Sequence, residues 1–287
     1  VFERYFNKGD PMPKILTEEQ VRRYREDGFA SPVRVMSADD ARRLRTALEA
    51  TEAAQGHAMR FPEKSKSHLL YRWSDAIVHH PAVLDAIEDL IGPDILCFHT
   101  TLWIKEARQP AFVLWHQDGR YFDLDPAVQI TAWIALSDAS VEAGAVEVLP
   151  GSHTLGPLDH IDDPSEMNLI RRGQGIRGRF DDANGTMMAL KAGEMSLHDT
   201  MVVHRSGPND TDDRRIGLGI SFIPTSVRQT GTGKLTALLA RGTDRFGHFV
   251  PEARLVQEGS PESRAAHEAA VASFKQSQDA GAGKVTA

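Results

Sequence analysis

Sulfur chemistry is nearly absent from this chain of 287 residues, which carries a single cysteine, Cys97. A lone thiol forms no internal disulfide and, without companions, builds no thiolate zinc cluster. It lies in the apolar run ILCF and reads as a buried packing residue. Long apolar runs are missing too. No stretch reaches the roughly 18 residues of a membrane span, and the opening VFERYFNKGD has no signal-peptide core. A soluble protein of the reducing cytoplasm is expected. Nor is there an excess of positive charge: 33 Lys and Arg against 40 Asp and Glu leave a formal charge of −7. That balance argues against nucleic acid or an anionic membrane as partner. The basic pairs Arg22-Arg23 and Arg42-Arg43 fall on helical patterns and read as solvated faces. Internal repeats are absent, and the oligomeric state is not legible.

What is present is an ordinary globular composition, 41% hydrophobic and 25% charged. One domain over residues 1–287 is expected, with a helical front (1–93), a β core (94–225) and a C-terminal part (226–287). Thr17-Glu18-Glu19-Gln20 is a capping box, and Gly28 ends the helix it opens. Ser37 opens a second helix to about residue 54, and a third apolar pattern, Val83, Ile87, Leu90 and Ile91, stops at Gly92-Pro93. From residue 94 the period changes to two. ILCFHTTLWIKEA, AFVLWH, VQITAWIAL, AVEVLP, TMMAL, GEMSLH, MVVH and RIGLGISFI are strand candidates. Eight strands behind a helical front predict a mainly β fold with flanking helices, its core a double-sheet jelly roll. Residues 155–185 and 226–250 read as insertions of the kind that serve as lids or loops. A last helix is predicted over 261–276, with DAGAGKVTA as a tail.

Strand alternation places Val128, Ile130, Ala132, Ile134 and Leu136 on one face, and Gln129, Thr131, Trp133 and Ala135 on the other. In RIGLGISFI it separates Ile216, Leu218, Ile220 and Phe222 from Arg215, Gly217, Gly219 and Ser221. An arginine followed by three small residues leaves room beneath a fixed positive charge, which suits a small carboxylate. In WHQDGRYFD, His116 and Asp118 are two residues apart and project to one side of a strand end. Imidazole plus carboxylate, completed by a remote histidine such as His204, is the facial triad that holds Fe(II) and leaves coordination positions open. The tripeptide alone says little, because His160-Ile161-Asp162 repeats it. That copy sits in the polar insertion, where no strand is expected to hold its side chains together.

Taken in order, ILTEEQVRRYREDGF, HTTLWIK, HQDGRYF, ITAWIALSDASVEAGAVEVLPGSH and HRSGPN with a downstream arginine resemble the phytanoyl-CoA dioxygenase family of Fe(II)/2-oxoglutarate-dependent oxygenases. The resemblance covers most of the chain and implies a cupin-like, double-stranded β-helix core. It implies His116, Asp118 and His204 as iron ligands, and Arg215 as partner of the distal carboxylate of 2-oxoglutarate, with Ser206 in support. Trp133 and Thr101 match co-substrate pocket positions. Gln117, beside the metal, is a weaker cofactor candidate, since alternation points it away. Asn209 fits a turn-holding role, and His198, His99 and His153 read as structural. Members that halogenate replace the carboxylate ligand by a small residue; Asp118 is present here, so C–H oxidation by O2 is implied, most simply hydroxylation, with succinate and carbon dioxide as co-products. A small polar metabolite or natural-product intermediate is the expected substrate. Its contacts are sought in Arg120, Tyr121 and Trp103, with Arg72, Lys105 and Arg228 as further cations. A cupin-type metalloenzyme that does not use 2-oxoglutarate, or a non-catalytic metal- or ligand-binding regulator, remains the alternative.

Overall fold

Helix α1 (Glu18–Asp27) begins where the capping box predicts. Gln20 N donates to Thr17 Oγ1 at 3.1 Å, and the Gln20 side chain accepts from Thr17 N at 2.9 Å. Gly28, at φ 83°, turns the chain out of the helix in a conformation that a side chain would strain. The computed structural model describes residues 13–163, 165–170, 174–176, 184–231 and 234–282. The opening decapeptide, the end of the C-terminal tail and parts of the 155–185 insertion lie outside them. After α1 come β1 (Phe29–Arg34), α2 (Ala38–Gln55), α3 (Arg72–Val78) and α4 (Pro81–Ile91). The β core follows as β2 (Ile95–Lys105), β3 (Val113–His116), β4 (Leu124–Asp125), β5 (Ile130–Ala135) and β6 (Val146–Val148). Then come β7 (His160–Asp162), β8 (Gln174–Ile176), β9 (Thr186–Met188), β10 (Glu194–Asp199) and β11 (His204–Ser206). The chain ends with β12 (Arg215–Pro224), β13 (Arg228–Gln229), β14 (Thr236–Arg241), β15 (Val250–Pro251) and α5 (Pro261–Ala282).

Two open sheets make the jelly roll. The larger runs in the order β1-β10-β5-β12-β2-β14-β15 and the smaller β3-β11-β6-β9. Alternation assigned the faces of the large sheet correctly within its strands, while Val128, ahead of β5, packs instead with Leu96, Phe98 and Phe122. Ile130, Ala132, Ile134, Leu136, Ile216, Leu218, Ile220 and Phe222 join Val21, Leu48, Ile77, Val83 and Ile87 in the principal core. Each of these side chains leaves water almost completely, a gain of about 1.5–3 kcal/mol for each large one. The helices are thereby held against the outer face, and the inner face is left to look across at the small sheet.

Several expectations need correction. The segment 226–250 is not devoid of strands: its TALLAR is β14, which pairs with β2. MVVH is not itself a strand; β11 starts at its last residue, His204. His160-Ile161-Asp162 does lie on a strand, β7, hydrogen-bonded to β8. α5 extends beyond 276 to Ala282, into the predicted tail. α3 and β1 had no expectation at all, being too short for a period to show. Arg22 and Arg42 are solvated, as read, and paired with Glu19, Glu26 and Asp39. Cys97 is buried. Among the described residues, no helix is long and apolar enough to cross a membrane.

Candidate active site

Pairing register decides what meets on the inner face of the large sheet. His198 of β10 stands opposite Thr131 of β5, which faces Ser221 of β12, which faces His99 of β2. On the next inward rung, Trp133, Gly219 and Thr101 align, and at the far end Arg215 faces Lys105. From the small sheet, His204 of β11 faces His116, the last residue of β3. Asp118 opens a single 3-10 turn, Asp118–Tyr121, so a turn rather than the strand itself carries the carboxylate.

These three side chains converge. Ligand-capable atoms of His116, Asp118 and His204 all lie within 4.8 Å of one another. Asp118 Oδ1 is 3.5 Å from His116 Nε2 and 3.8 Å from His204 Nε2. The outward nitrogens are fixed by their neighbours: His116 Nδ1 donates to Leu114 O at 2.9 Å and His204 Nδ1 to Val202 O at 3.0 Å. Each Nε2 therefore keeps its lone pair and directs it at the Asp118 carboxylate, the tautomer a metal requires. Burial, with His116 and His198 close by, holds His204 well below the usual histidine range and so neutral. The second carboxylate oxygen, Asp118 Oδ2, accepts from Thr131 Oγ1 at 2.7 Å, leaving Oδ1 as the free donor atom. Two imidazoles that direct Nε2 inward and one oriented carboxylate fit a divalent first-row metal such as Fe(II).

A second feature lies further in. Arg215, 1% exposed, donates to Gly144 O at 3.3 Å and stands 5.1 Å from the Trp133 ring centroid. Its Nε has no hydrogen-bond partner. Lys105, wholly buried, donates to Ser206 Oγ at 2.8 Å and to Gly207 O. Burial and the neighbouring Arg215 push the Lys105 amine down to about 6, and burial alone pushes Arg215 down to about 9. Among the described residues neither cation has a carboxylate partner. Buried charges are normally paired, so the Arg215 guanidinium, with an amine beside it and no acid among the described residues, is suited to receive an anion. The glycines beside Arg215 do not leave open space as expected. A Cβ at Gly217 would lie 1.9 Å from Trp133 Cζ2, and one at Gly219 would lie 3.0 Å from Trp103 Nε1. The small residues admit two indoles, which wall the cavity.

The cavity divides at the histidine and aspartate cluster. The inner chamber reaches Arg215, Ser206 and Trp133; the outer one is bordered by Lys64, Tyr121, Ile170 and Phe274. Thr101, Trp103, His116 and Asp118 border both. Thus the structure brings together His116, Asp118, His204, Arg215, Ser206, Trp133, Thr101, Trp103 and Tyr121. Gln117 is not among them. Its amide donates to Gly156 O and Met201 O at 2.9 and 2.8 Å and accepts from Leu158 N at 2.9 Å, so it ties loops together behind the site. Arg120 borders neither chamber and lies near enough to His160 to repel a proton there. His160 Nε2 accepts from Gln117 N at 3.1 Å, which makes the second H-x-D a brace for the ligand loop. Arg72 and Arg228 are engaged elsewhere, with Val256 O and Asp125. Asn209 holds its turn, donating to Glu106 O and Asp213 O at 2.9 and 2.8 Å.

Among the residues that border the cavity, His198 and His99 were undervalued in the sequence, and several others, Lys64 and Phe274 among them, were not foreseen. His198, read as structural, is 2% exposed, lies 3.6 Å from Asp118 Oδ2 through Nε2, and has no hydrogen-bond partner on either ring nitrogen. Its odd-even phase with Ser196 on GEMSLH was a usable signal. Lys64 and Phe274 had none, since a turn lysine and a helix phenylalanine carry no mark of the cavity they reach.

Residues 24–217 match the model of the phytanoyl-CoA dioxygenase (PhyH) family. The peroxisomal phytanoyl-CoA dioxygenase of Rattus norvegicus is 26% identical over 240 residues, covering 72% of this chain and 68% of that protein. A probable alpha-ketoglutarate-dependent hypophosphite dioxygenase of Stutzerimonas stutzeri is 24% identical over 223 residues, covering 71% and 77%. Among solved structures, the apo form of the non-heme monooxygenase ThoJ superposes with a TM-score of 0.81 at 33% identity, over 92% of this chain and 99% of that one.

Proposed function

Because the chain belongs to the phytanoyl-CoA dioxygenase family, we propose that it is a 2-oxoglutarate-dependent non-heme iron oxygenase that hydroxylates a C–H bond of a small organic molecule. The observation that carries this reading is the pairing of two features on one cavity: a His116, Asp118, His204 cluster, and two buried basic side chains, Arg215 and Lys105, without a carboxylate partner among the described residues. His116 and His204 would hold the metal through Nε2 and Asp118 through Oδ1. When bound, Fe(II), 2-oxoglutarate and O2 supply the oxidation, giving succinate and carbon dioxide as the substrate C–H bond is oxidised. Arg215, Ser206 and Lys105 would receive the far carboxylate of the co-substrate, and its other end would then point at the cluster. Thr131 keeps Asp118 Oδ2 occupied, so that the carboxylate offers one oxygen. Trp133 and Trp103 line the walls and exclude water from the chamber, which strengthens each charge contact inside it.

A metalloenzyme without co-substrate would have no use for a buried guanidinium and amine that lack an acid partner, and a metal-binding regulator would need no second chamber beside the metal. The test is Fe(II)-dependent formation of succinate from 2-oxoglutarate under O2. Wild-type protein is expected to form it, slowly without substrate, and His204→Ala to form none. If iron-loaded protein neither binds 2-oxoglutarate nor forms succinate, the reading falls.

A further inference from the structure

We propose that the outer chamber takes a substrate with an apolar, ring-sized body bearing one anionic group, and that Lys64 holds that group. The proposal rests on the co-substrate occupying the inner chamber. The outer part of this chamber is walled mainly by Phe61, Tyr121, Phe122, Ile170 and Phe274, while Ser65, His99 and Thr101 are its polar members beside the histidine and aspartate cluster. Its space is about 790 Å³ with the open mouth included. Walls of this kind gain by covering an apolar body and offer a polar metabolite little.

Lys64 is the one cation bordering this chamber among the described residues. Arg215 borders the inner chamber and not this one. The contrast with Lys66 is informative. Its ammonium donates to Phe98 O at 2.6 Å and pairs with Glu252 at 2.5 Å, on the far side of the turn from the chamber. Lys64 Nζ has no ion pair and no hydrogen bond among the described residues, although burial disfavours its charge. Asp118, the acid that borders the chamber, is committed to Thr131 and the histidines.

The turn that carries Lys64 is rigid. Leu102 N donates to Lys64 O at 2.9 Å and Lys66 N to Thr100 O at 2.8 Å, which ties both flanks to β2. Behind it, His267 Nε2 donates to Ser65 O at 2.9 Å. A basic side chain on a fixed base, half-buried and without a partner among the described residues, is a specificity element for an anion. Lys275 of α5, 4.6 Å from the Phe61 ring, adds positive potential at the rim. An anion anchored at Lys64 would leave the apolar body between the aromatic walls, with a carbon presented to the cluster.

The test is calorimetric titration of the protein loaded anaerobically with Fe(II) and saturating 2-oxoglutarate, so that Arg215 is already occupied. The probes are 2-naphthoate, 2-naphthyl phosphate and neutral 2-naphthamide. At least one anion is expected to bind about tenfold or more tighter than the amide. The tighter of the two tells carboxylate from phosphate. Lys64→Met is expected to erase that preference while keeping the amide affinity, and Lys64→Arg to retain it. Equal binding of the three probes by wild type, no binding of any, or a preference that survives Lys64→Met would each overturn the proposal and leave the co-substrate reading standing. Failure of 2-oxoglutarate itself to bind the iron-loaded protein would overturn both.

Discussion

The unpaired Lys105 gives the co-substrate site a pH dependence with a defined sign. In the empty protein its amine sits near 6, pushed down by burial and by Arg215, so above that pH it is mostly neutral. A carboxylate arriving beside Ser206 favours the charged amine and raises its value. Binding then takes up a proton at any pH between the two values, and affinity falls as pH rises through that window. If the ligand restores Lys105 to an ordinary value of about 10, linkage gives about a 70-fold loss of affinity between about pH 6.5 and about pH 8.5. The histidine ligands oppose this trend, because deprotonation improves metal binding as pH rises, so the protein must be metal-saturated throughout. Calorimetry of 2-oxoglutarate binding in buffers of different ionisation enthalpy reads both the affinity and the proton count. Close to one proton taken up near neutral pH is expected, and close to none in Lys105→Met. Zero uptake by wild type with an affinity flat across this range would refute the assignment of Lys105 to the anion site.

Other consequences follow from single contacts. His116→Ala should lose Fe(II) while retaining wild-type circular dichroism; full metal content in the variant would remove His116 from the ligand set. Gly217→Ala places a methyl 1.9 Å from the Trp133 ring position, so the indole must move. A loss of about 1–3 kcal/mol in stability, read as a lower Tm, should accompany weaker 2-oxoglutarate binding, and an unchanged protein would mean that the indole shifts freely. Glu252→Ala strands Lys66, 2% exposed and paired with Glu252 at 2.5 Å, and should cost about 3–5 kcal/mol in chemical denaturation. A change below about 1 kcal/mol would show that water reaches Lys66 readily.

The parts of this protein that sequence made legible are those a short-range period encodes. Strict alternation in ITAWIAL and RIGLGISFI separates core from cavity because a strand has only two faces, and the capping box and Gly28 set α1 because both act within a few residues. The pairing of His116 with His204 was reachable because each ends or begins a strand. What alternation cannot supply is register between strands distant in the chain. Lys105 was legible as a cation, yet only the β2/β12 register sets it beside Arg215. The same limit explains Gly217 and Gly219, which looked like vacated space until Trp133 and Trp103 filled it. Arg120 and Gln117 were judged by proximity to His116 and Asp118: after His116 the strand gives way to a tight turn, and neither side chain borders the cavity. Lys64 and Phe274 depend on the packing of a turn and of the last helix against β2, which no local pattern announces.

A crystal structure of the protein soaked anaerobically with Fe(II) and 2-oxoglutarate would show directly which residues hold each end of the co-substrate. The expected result is a metal between His116 Nε2, His204 Nε2 and Asp118 Oδ1, with the far carboxylate at Arg215, Ser206 and Lys105 and the outer chamber beside Lys64 open to substrate. A metal bound elsewhere, or a 2-oxoglutarate whose far carboxylate lies on Lys64 while Arg215 and Lys105 stay unpaired, would contradict it.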